Sequence, residues 1–118
     1  MNAAEGVTWL LQMARDMSIE AQQWQFFAIT WKAVGFPFNE ALHKRLRAHA
    51  KMLEVFLAEA KSDLVPRAAS LTPSEMARWA AKLGRLQKTH GDLVAAFREE
   101  AEEFEDAKAP FRGRLDHL

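Results

Sequence analysis

The chain of 118 residues contains no cysteine and no tyrosine, and it has only five glycines and four prolines. The lack of cysteine excludes disulfide bonds, thiolate metal sites and a thiol nucleophile, and it is compatible with a reducing compartment. No stretch approaches the roughly 20 uninterrupted apolar residues of a membrane-spanning helix, and the N-terminal residues lack the pattern of a secretory signal. We therefore expect a cytoplasmic protein that does not enter a membrane.

An excess of charge of either sign is also missing, because sixteen basic and sixteen acidic residues cancel. No overall field attracts the molecule to nucleic acid or to an anionic membrane, so any such attraction must be local. Alanine is abundant and β-branched residues are few, which favours helices over strands. A chain of this length has the size of a single domain with its own core.

Capping residues divide the chain into predicted helices. Asn2 with Glu5 three residues later is typical of a capped helix start, and Gly35 interrupts the pattern that follows. Asn39 is placed to cap a second helix. The sequence Thr-Pro-Ser-Glu at 72–75 combines a capping threonine, a proline at the first helical position and a glutamate that closes a capping box, so a third helix begins there.

These signals predict an all-α fold, an antiparallel bundle of three long helices, because short connections make consecutive helices antiparallel. The predicted helices cover about residues 3–34, 40–64 and 73–107. A break near Gly91 would raise their number to four. Residues 1–109 form the predicted bundle domain, and residues 110–118, which begin with a proline, are expected to be a flexible tail.

Apolar residues recur at alternating spacings of three and four along each predicted helix, as they do in the seam of a coiled coil. In the first helix the seam consists of Val7, Leu10, Ala14, Met17, Ala21, Trp24, Ala28 and Trp31. The second helix contributes Leu46, Ala50, Leu53, Leu57, Ala60 and Leu64, and the third contributes Met76, Trp79, Leu83, Leu86, His90, Leu93 and Phe97. These residues are the predicted core.

The first helix is more apolar than one seam requires, particularly over residues 24–38. A helix that is apolar all round must be covered all round, which predicts contact with another copy or a protein partner. The alternatives are a central place in the chain's own bundle, with the aromatic loop as a plug, and a helix on a membrane surface, which would need more basic residues than Lys32. The predicted interface consists of Trp24, Phe27, Trp31, Phe36 and Phe38.

Two histidines occupy positions at which apolar residues are expected: His90 in the seam of the third helix and His49 beside the seam of the second. If these helices form a hairpin, the two side chains come to nearly the same level. We expect both to be hydrogen-bonded structural residues at the margin of the core. A metal site built on them is the remote alternative, because further ligands are not evident, and no cofactor is predicted.

Motifs that would support catalysis are missing. Glu40 and His43 have the Glu-x-x-His spacing of di-iron bundles, but such bundles need that motif twice. Residues 49–52 lack the spacing of a phosphotransfer histidine, and the chain has no glycine-rich phosphate loop, nucleophile elbow or His-Glu-x-x-His zinc helix. We therefore expect no enzymatic activity and identify no small-molecule substrate.

Charged residues are clustered despite their balance. Basic residues that could contact nucleic acid or another anion follow the second and third helices: Lys44, Arg47, Lys51, Arg78, Lys82 and Arg85. The alternative is that these basic residues only face water, because ordinary solvent-exposed helix faces have the same composition. An acidic run at 99–106 opposes the dipole of the third helix, so we expect it to lie beside the start of the second helix, with docking of a basic partner as the alternative.

Taken together, these patterns predict a non-enzymatic helical interaction or assembly module that self-associates through its aromatic first helix. Nucleic-acid association through the basic faces is the competing class of function. No resemblance to a particular protein family is evident in these motifs.

Overall fold

A computed structural model describes the backbone of residues 2–116 and the side chains of residues 2–106. The long helices are α1 (Ala3–Ala33), α2 (Glu40–Asp63) and α3 (Pro73–Asp116), and a short 3-10 helix, Val65–Ser70, joins α2 to α3. The described residues contain no strand. The predicted all-α bundle of three long helices is confirmed, and the 3-10 helix is an additional short element.

Each predicted helix start has its cap. The Asn2 side chain accepts a hydrogen bond from the backbone N–H of Glu5 at 2.8 Å. In α2 the Asn39 side chain accepts from the N–H of Leu42 at 3.0 Å. At the start of α3 the Thr72 hydroxyl accepts from the N–H of Glu75, whose carboxylate lies 3.3 Å from the N–H of Thr72, which completes the capping box.

The two internal glycines that shape the prediction behave differently. Gly35 has a φ of 78°, the left-handed conformation that commonly ends a helix, and α1 stops just before it. Gly91 lies inside α3, which continues through it, so the break that would have divided the third helix does not occur, and the fourth, short helix is the 3-10 helix instead. A glycine inside a helix costs about 1 kcal/mol relative to alanine. The buried apolar seam on both sides of Gly91 outweighs this cost and keeps the helix continuous.

The end of α3 also differs from the prediction. The helix reaches Asp116 and passes Ala109–Pro110, where a stop was expected near residue 107. A proline removes one backbone hydrogen bond and disfavours the helical conformation of the residue before it, but neither effect forbids a helix. The side chains of the predicted flexible tail, 110–118, lie outside the described residues, so its flexibility stays a prediction.

The helices run along the length of a molecule that measures 66 × 26 × 19 Å. In the α2–α3 hairpin, Phe56 contacts Trp79 and His49 contacts His90, which gives the expected antiparallel register. Trp24 of α1 contacts Phe97 of α3, so α1 runs parallel to α3. The predicted seam residues form the core, with Ala50, Leu57, Trp24 and Met76 partly buried at its edge.

The connection between α2 and α3 is held by one arginine. The Arg67 guanidinium binds the carboxylates of Asp63 in α2 and Glu75 in α3, and this pairing holds the pKa of Glu75 below its usual range. Arg67 itself has a non-helical backbone, with φ −126° and ψ 27°. The arginine therefore fixes the turn that sets the register of the hairpin.

Within the described residues, no helix has the length and the apolar composition needed to span a bilayer.

Candidate functional site

A row of three polar side chains crosses the middle of the bundle. His49 Nε2 of α2 lies 3.0 Å from His90 Nδ1 of α3, and His90 Nε2 lies 2.8 Å from the Oε1 atom of Glu20 in α1. His49 is 2% exposed and His90 is 9% exposed, whereas the Glu20 side chain reaches the surface. The predicted approach of the two histidines is confirmed, and Glu20 supplies a third member that joins all three helices.

The carboxylate fixes the tautomers of both rings when they are neutral. A carboxylate only accepts, so His90 donates to Glu20 through Nε2 and keeps a lone pair on Nδ1. That lone pair accepts the proton of His49 Nε2. The remaining nitrogen, His49 Nδ1, is then a buried acceptor that has no hydrogen-bond partner among the described residues. The row is therefore a directional hydrogen-bond chain that ends on an unused lone pair.

Burial of His49 removes the water that would stabilise its charged form, and the neighbouring His90 adds repulsion when protonated. Together, burial first and repulsion second, they lower the pKa of His49 to about 4. His49 is consequently neutral at physiological pH, as the fixed tautomers require. Because the ring is buried, it is also unable to serve as a surface phosphotransfer residue.

A second buried histidine lies at the start of α2. His43 Nε2 donates to the Oε2 atom of Glu100 at 3.0 Å, and the other oxygen of Glu100 accepts from the backbone N–H of Asn39 at 2.7 Å. The imidazole is stacked between the rings of Phe38 and Phe97, with ring centres 4.8 and 5.2 Å away. This arrangement ties α3 to the capped end of α2.

The position of Glu100 explains part of the acidic run. Its carboxylate satisfies an orphan N–H at the positive end of the α2 dipole, as expected for a run beside the start of that helix. The other members are exposed: Glu99, Glu102, Glu103, Glu105 and Asp106. Docking of a basic partner on these exposed carboxylates stays a prediction.

The described side chains offer no group of three histidines or carboxylates that could hold a metal ion. His43 pairs with Glu100 of α3, while Glu40, the other member of its Glu-x-x-His motif, is exposed. In the central row, two of the four imidazole nitrogens are used between His49 and His90. The geometry therefore favours structural hydrogen bonding by these residues.

The five aromatic residues of the predicted interface pack largely within the chain. Trp31 is buried, and Trp24, Phe27, Phe36 and Phe38 are half-buried. Four of the five belong to an aromatic cluster, which we define as Trp24, Phe27, Trp31, Phe36, Phe97 and Phe104. Phe38 instead stacks on His43. These residues close one end of the bundle, and only their partly exposed edges are available to another chain.

The apolar surplus of α1 reaches the surface at other residues. Ile19, Phe26 and Ile29 lie along one side of the helix, and we call them the α1 apolar face. Phe26 is 73% exposed and Ile29 is 67% exposed. Ile29 also borders a groove of about 350 Å³ between α1 and α2, which Lys32 and Arg47 line as well. Apart from these three, Trp9 is the other exposed large apolar residue of α1 among the described residues.

A second groove, of about 430 Å³, lies between α2 and α3, and we call it the α2–α3 groove. Three of the six predicted anion-binding residues line it: Lys51, Lys82 and Arg85. Arg47 lines the groove beside α1 instead. Lys44 and Arg78 are exposed and line neither groove. The structure thus brings half of the predicted basic set together at one place.

No known family, curated protein or solved structure matches this chain. We therefore infer function from the α1 apolar face, the α2–α3 groove and the buried hydrogen bonds of the histidines.

Sequence reasoning missed two partners of the histidines. Glu100 follows Phe97 by three residues and precedes Phe104 by four, so the apolar period of α3 could have identified it as inward-facing. Glu20 carries no such signal, because it lies beside the α1 seam and meets His90 only through the packing of α1 on α3. Met52 and Val55 of the α2–α3 groove look in the sequence like ordinary flanking residues of the α2 seam.

Proposed function

We propose that this protein is a non-enzymatic, cytoplasmic helical module that associates with a second copy of itself through the α1 apolar face. The observation that carries the proposal is the exposure of Phe26 and Ile29, 73% and 67%, on a helix whose other side already packs in the core. Single exposed apolar residues are common, but a row of them on one helix side is typical of a contact surface.

Charge favours a second copy as the partner. The α1 segment from residue 21 to residue 31, which contains Phe26 and Ile29, has no charged side chain, although it includes two exposed glutamines and an exposed threonine. In a symmetric dimer the same patch meets itself, so a neutral patch avoids the like-charge contacts that a charged one would create. The acidic outer side of α3 and the basic α2–α3 groove would both repel their own copies.

The aromatic cluster supports the proposal indirectly. Trp24, Phe27 and Trp31 hold the second half of α1 in place through contacts with Phe97 and Phe104, and this presents Phe26 and Ile29 on a rigid helix. A preorganised surface loses little conformational freedom on binding. Among the predicted interface residues, Phe38 lines the same groove as Ile29, whereas Trp24, Phe27, Trp31 and Phe36 serve the proposed contact by supporting α1 from within the aromatic cluster.

The test is the mass of the full chain in solution, measured by light scattering over a range of protein concentrations. We expect a mass above the 13.4 kDa of one chain. The double variant Phe26→Gln/Ile29→Gln should return the mass to that of one chain, because it removes the apolar contact. It should still fold, because glutamine is a good helix former and both side chains are exposed. A matched control, Met52→Gln/Val55→Gln on α2, should leave the mass as in the wild type. A mass of 13.4 kDa for the wild type at every concentration would overturn the proposal.

Nucleic-acid association is the second candidate, and the observation in its favour is the convergence of Lys51, Lys82 and Arg85 on one groove. Such binding would weaken steeply as salt is raised, because each neutralised phosphate releases counterions. Charge reversal at Arg78, Lys82 and Arg85 should then abolish it. We do not expect tight binding, since the side chains exposed between these cations include the apolar Met52 and Val55, and Glu59 adds a carboxylate to the lining.

A further inference from the structure

The α2–α3 groove is a surface separate from the α1 apolar face, and among the described residues only α2 and α3 line it. An antiparallel pair of helices has a groove on each side. The core side of the pair is covered by α1, which packs on Leu46, Leu53 and Leu83. The other side is open, so the bundle has room for a fourth helix along the α2–α3 pair.

The groove is apolar where a fourth helix would lie. Phe56 and Leu86 are buried beneath it, while Met52 is 59% exposed and Val55 is 45% exposed. Covering these two side chains would remove apolar surface from water, and methionine adapts its shape to different partner side chains. A helix with apolar residues at spacings of three and four satisfies this requirement.

The rim of the groove selects the charge of the partner. Lys51, Lys82 and Arg85 line it together with a single carboxylate, Glu59. Lys51 also lies near a second carboxylate, with its Nζ 3.9 Å from Glu54, and both side chains are exposed. Lys82 rests on the ring of Trp79, with Nζ 4.6 Å from the ring centre, so its charge is held at the rim. The rim is therefore positive and complements an acidic partner.

We propose that the α2–α3 groove binds an amphipathic helix with acidic flanks, which completes a four-helix arrangement with Met52 and Val55 under its apolar side and Lys82 and Arg85 against its carboxylates. The apolar side chains that the groove exposes, Met52 and Val55, favour a helix over nucleic acid, because single-stranded nucleic acid is held by stacking on aromatic rings, and the rings of His49 and Phe56 in this groove are buried. Duplexes are held at polar, wet surfaces. This inference does not depend on self-association through α1.

The experiment uses the full chain and a fluorescein-labelled synthetic peptide of about 18 residues, long enough for about 27 Å of helix. The peptide carries leucine on one helical side and glutamate on the flanks. Three further labelled probes of similar size serve for comparison. They are a scrambled peptide of the same composition, a peptide with lysine in place of glutamate, and a short DNA duplex. Fluorescence anisotropy measures the affinity of each probe, and helical circular dichroism confirms that every protein variant is folded.

We expect the acidic amphipathic peptide to bind more tightly than the other three probes. Met52→Asp/Val55→Asp should weaken its binding at least about tenfold, since apolar anchors dominate such interfaces. Lys82→Glu/Arg85→Glu should weaken it similarly and transfer the preference to the lysine peptide. The matched control Lys61→Glu/Arg98→Glu changes the net charge equally away from the groove and should have a much smaller effect.

The variant Phe26→Gln/Ile29→Gln separates this inference from the proposed function, because it removes self-association and should leave peptide affinity unchanged. Equal binding of the acidic and scrambled peptides would overturn the inference. So would an equal loss of affinity in the groove charge variant and in its matched control. Tighter binding of the DNA duplex, lost in Lys82→Glu/Arg85→Glu, would overturn it in favour of nucleic-acid association.

Discussion

Three histidines, His43, His49 and His90, are buried in a protein whose core is otherwise almost entirely apolar. Each has a partner on another helix, and two of these partners are carboxylates, Glu100 and Glu20. A buried polar group that lost its partner would cost about 1–3 kcal/mol, so each pair favours one register of the helices over its neighbours. Because the apolar seams repeat along the helices, shifted registers could also bury apolar residues, but only the native register forms these histidine hydrogen bonds.

The central row makes stability depend on pH. His49 has a pKa of about 4 in the folded chain and about 6.5 when unfolded, so between these values the unfolded chain binds more protons. Above pH 6.5 His49 is neutral in both the folded and the unfolded chain, so it does not change the free energy of unfolding. As the pH drops from 6.5 toward 4, the unfolded chain binds a proton that the folded chain does not, and the free energy of unfolding falls by up to about 3 kcal/mol. The groups that face His49 in this row are His90 of α3 and, beyond it, Glu20 of α1.

The variant His49→Leu should lack this part of the pH dependence, while the rest of the profile is retained. Urea unfolding followed by circular dichroism at pH 7 and pH 4.5 measures the difference. We expect the wild type to lose more stability than the variant between the two values. Profiles that fall in parallel would show that His49 does not carry the effect.

At the scale of helices, the starts were predictable and the end of α3 was not. A start depends on a few neighbouring residues, such as Thr72 and Glu75, whose mutual hydrogen bonds can be deduced from spacing alone. The continuation of α3 through Gly91 depends on the packing of the buried seam on both sides of it, although the local sequence signals a break. The helix also continues past Ala109–Pro110, against the local signal of the proline. The level match of His49 and His90 was also predictable, because it follows from helix rise and a short connection.

Substitution of the glycines tests the continuity of α3. Nothing lies within 4 Å of a Cβ atom added at Gly84 or Gly91, and both have helical backbone. Gly91→Ala should therefore raise the free energy of unfolding by about 0.5–1 kcal/mol, because alanine loses less conformational freedom in a helix. Gly84→Ala should do the same, and thermal unfolding measures both.

Gly35→Ala is the matched opposite case. Nothing lies near a Cβ atom at this position either, but the φ of 78° is strained for alanine, and stability should fall by about 1 kcal/mol. Loss of stability in Gly91→Ala comparable to that in Gly35→Ala would show that α3 bends at Gly91.

The whole molecule is a rod about as long as α3, in which the Arg67 turn closes one end of the three-helix bundle and the aromatic cluster closes the other, before α3 itself ends. Its surfaces differ in kind: the α1 apolar face is neutral, the α2–α3 groove is basic, and the outer side of α3 over residues 99–106 is acidic. A net charge of zero therefore conceals separate regions of opposite sign. Such a distribution limits the orientations in which copies can approach each other.

If copies associate through the α1 apolar face, thermal stability must depend on protein concentration, because association stabilises only the folded chain. In the fully dimeric range a tenfold rise in concentration should contribute on the order of 1 kcal/mol and raise the Tm by several degrees. Phe26→Gln/Ile29→Gln should show a Tm that is independent of concentration. A wild-type Tm that also does not move over two decades of concentration would argue against association.

The tryptophans of the rod are divided between its ends, since Trp24 and Trp31 belong to the aromatic cluster and Trp79 packs on Phe56 beside the turn. Because the chain has no tyrosine and phenylalanine emits only weakly, its near-ultraviolet emission comes almost entirely from indole rings. Trp31 is buried and its Nε1 has no hydrogen-bond partner among the described residues, so it emits at shorter wavelength than the more exposed Trp9. Trp79 is also buried, so the blue edge of the emission spectrum combines both ends of the bundle, and a Trp79→Phe variant separates the signal of the turn from that of the aromatic cluster.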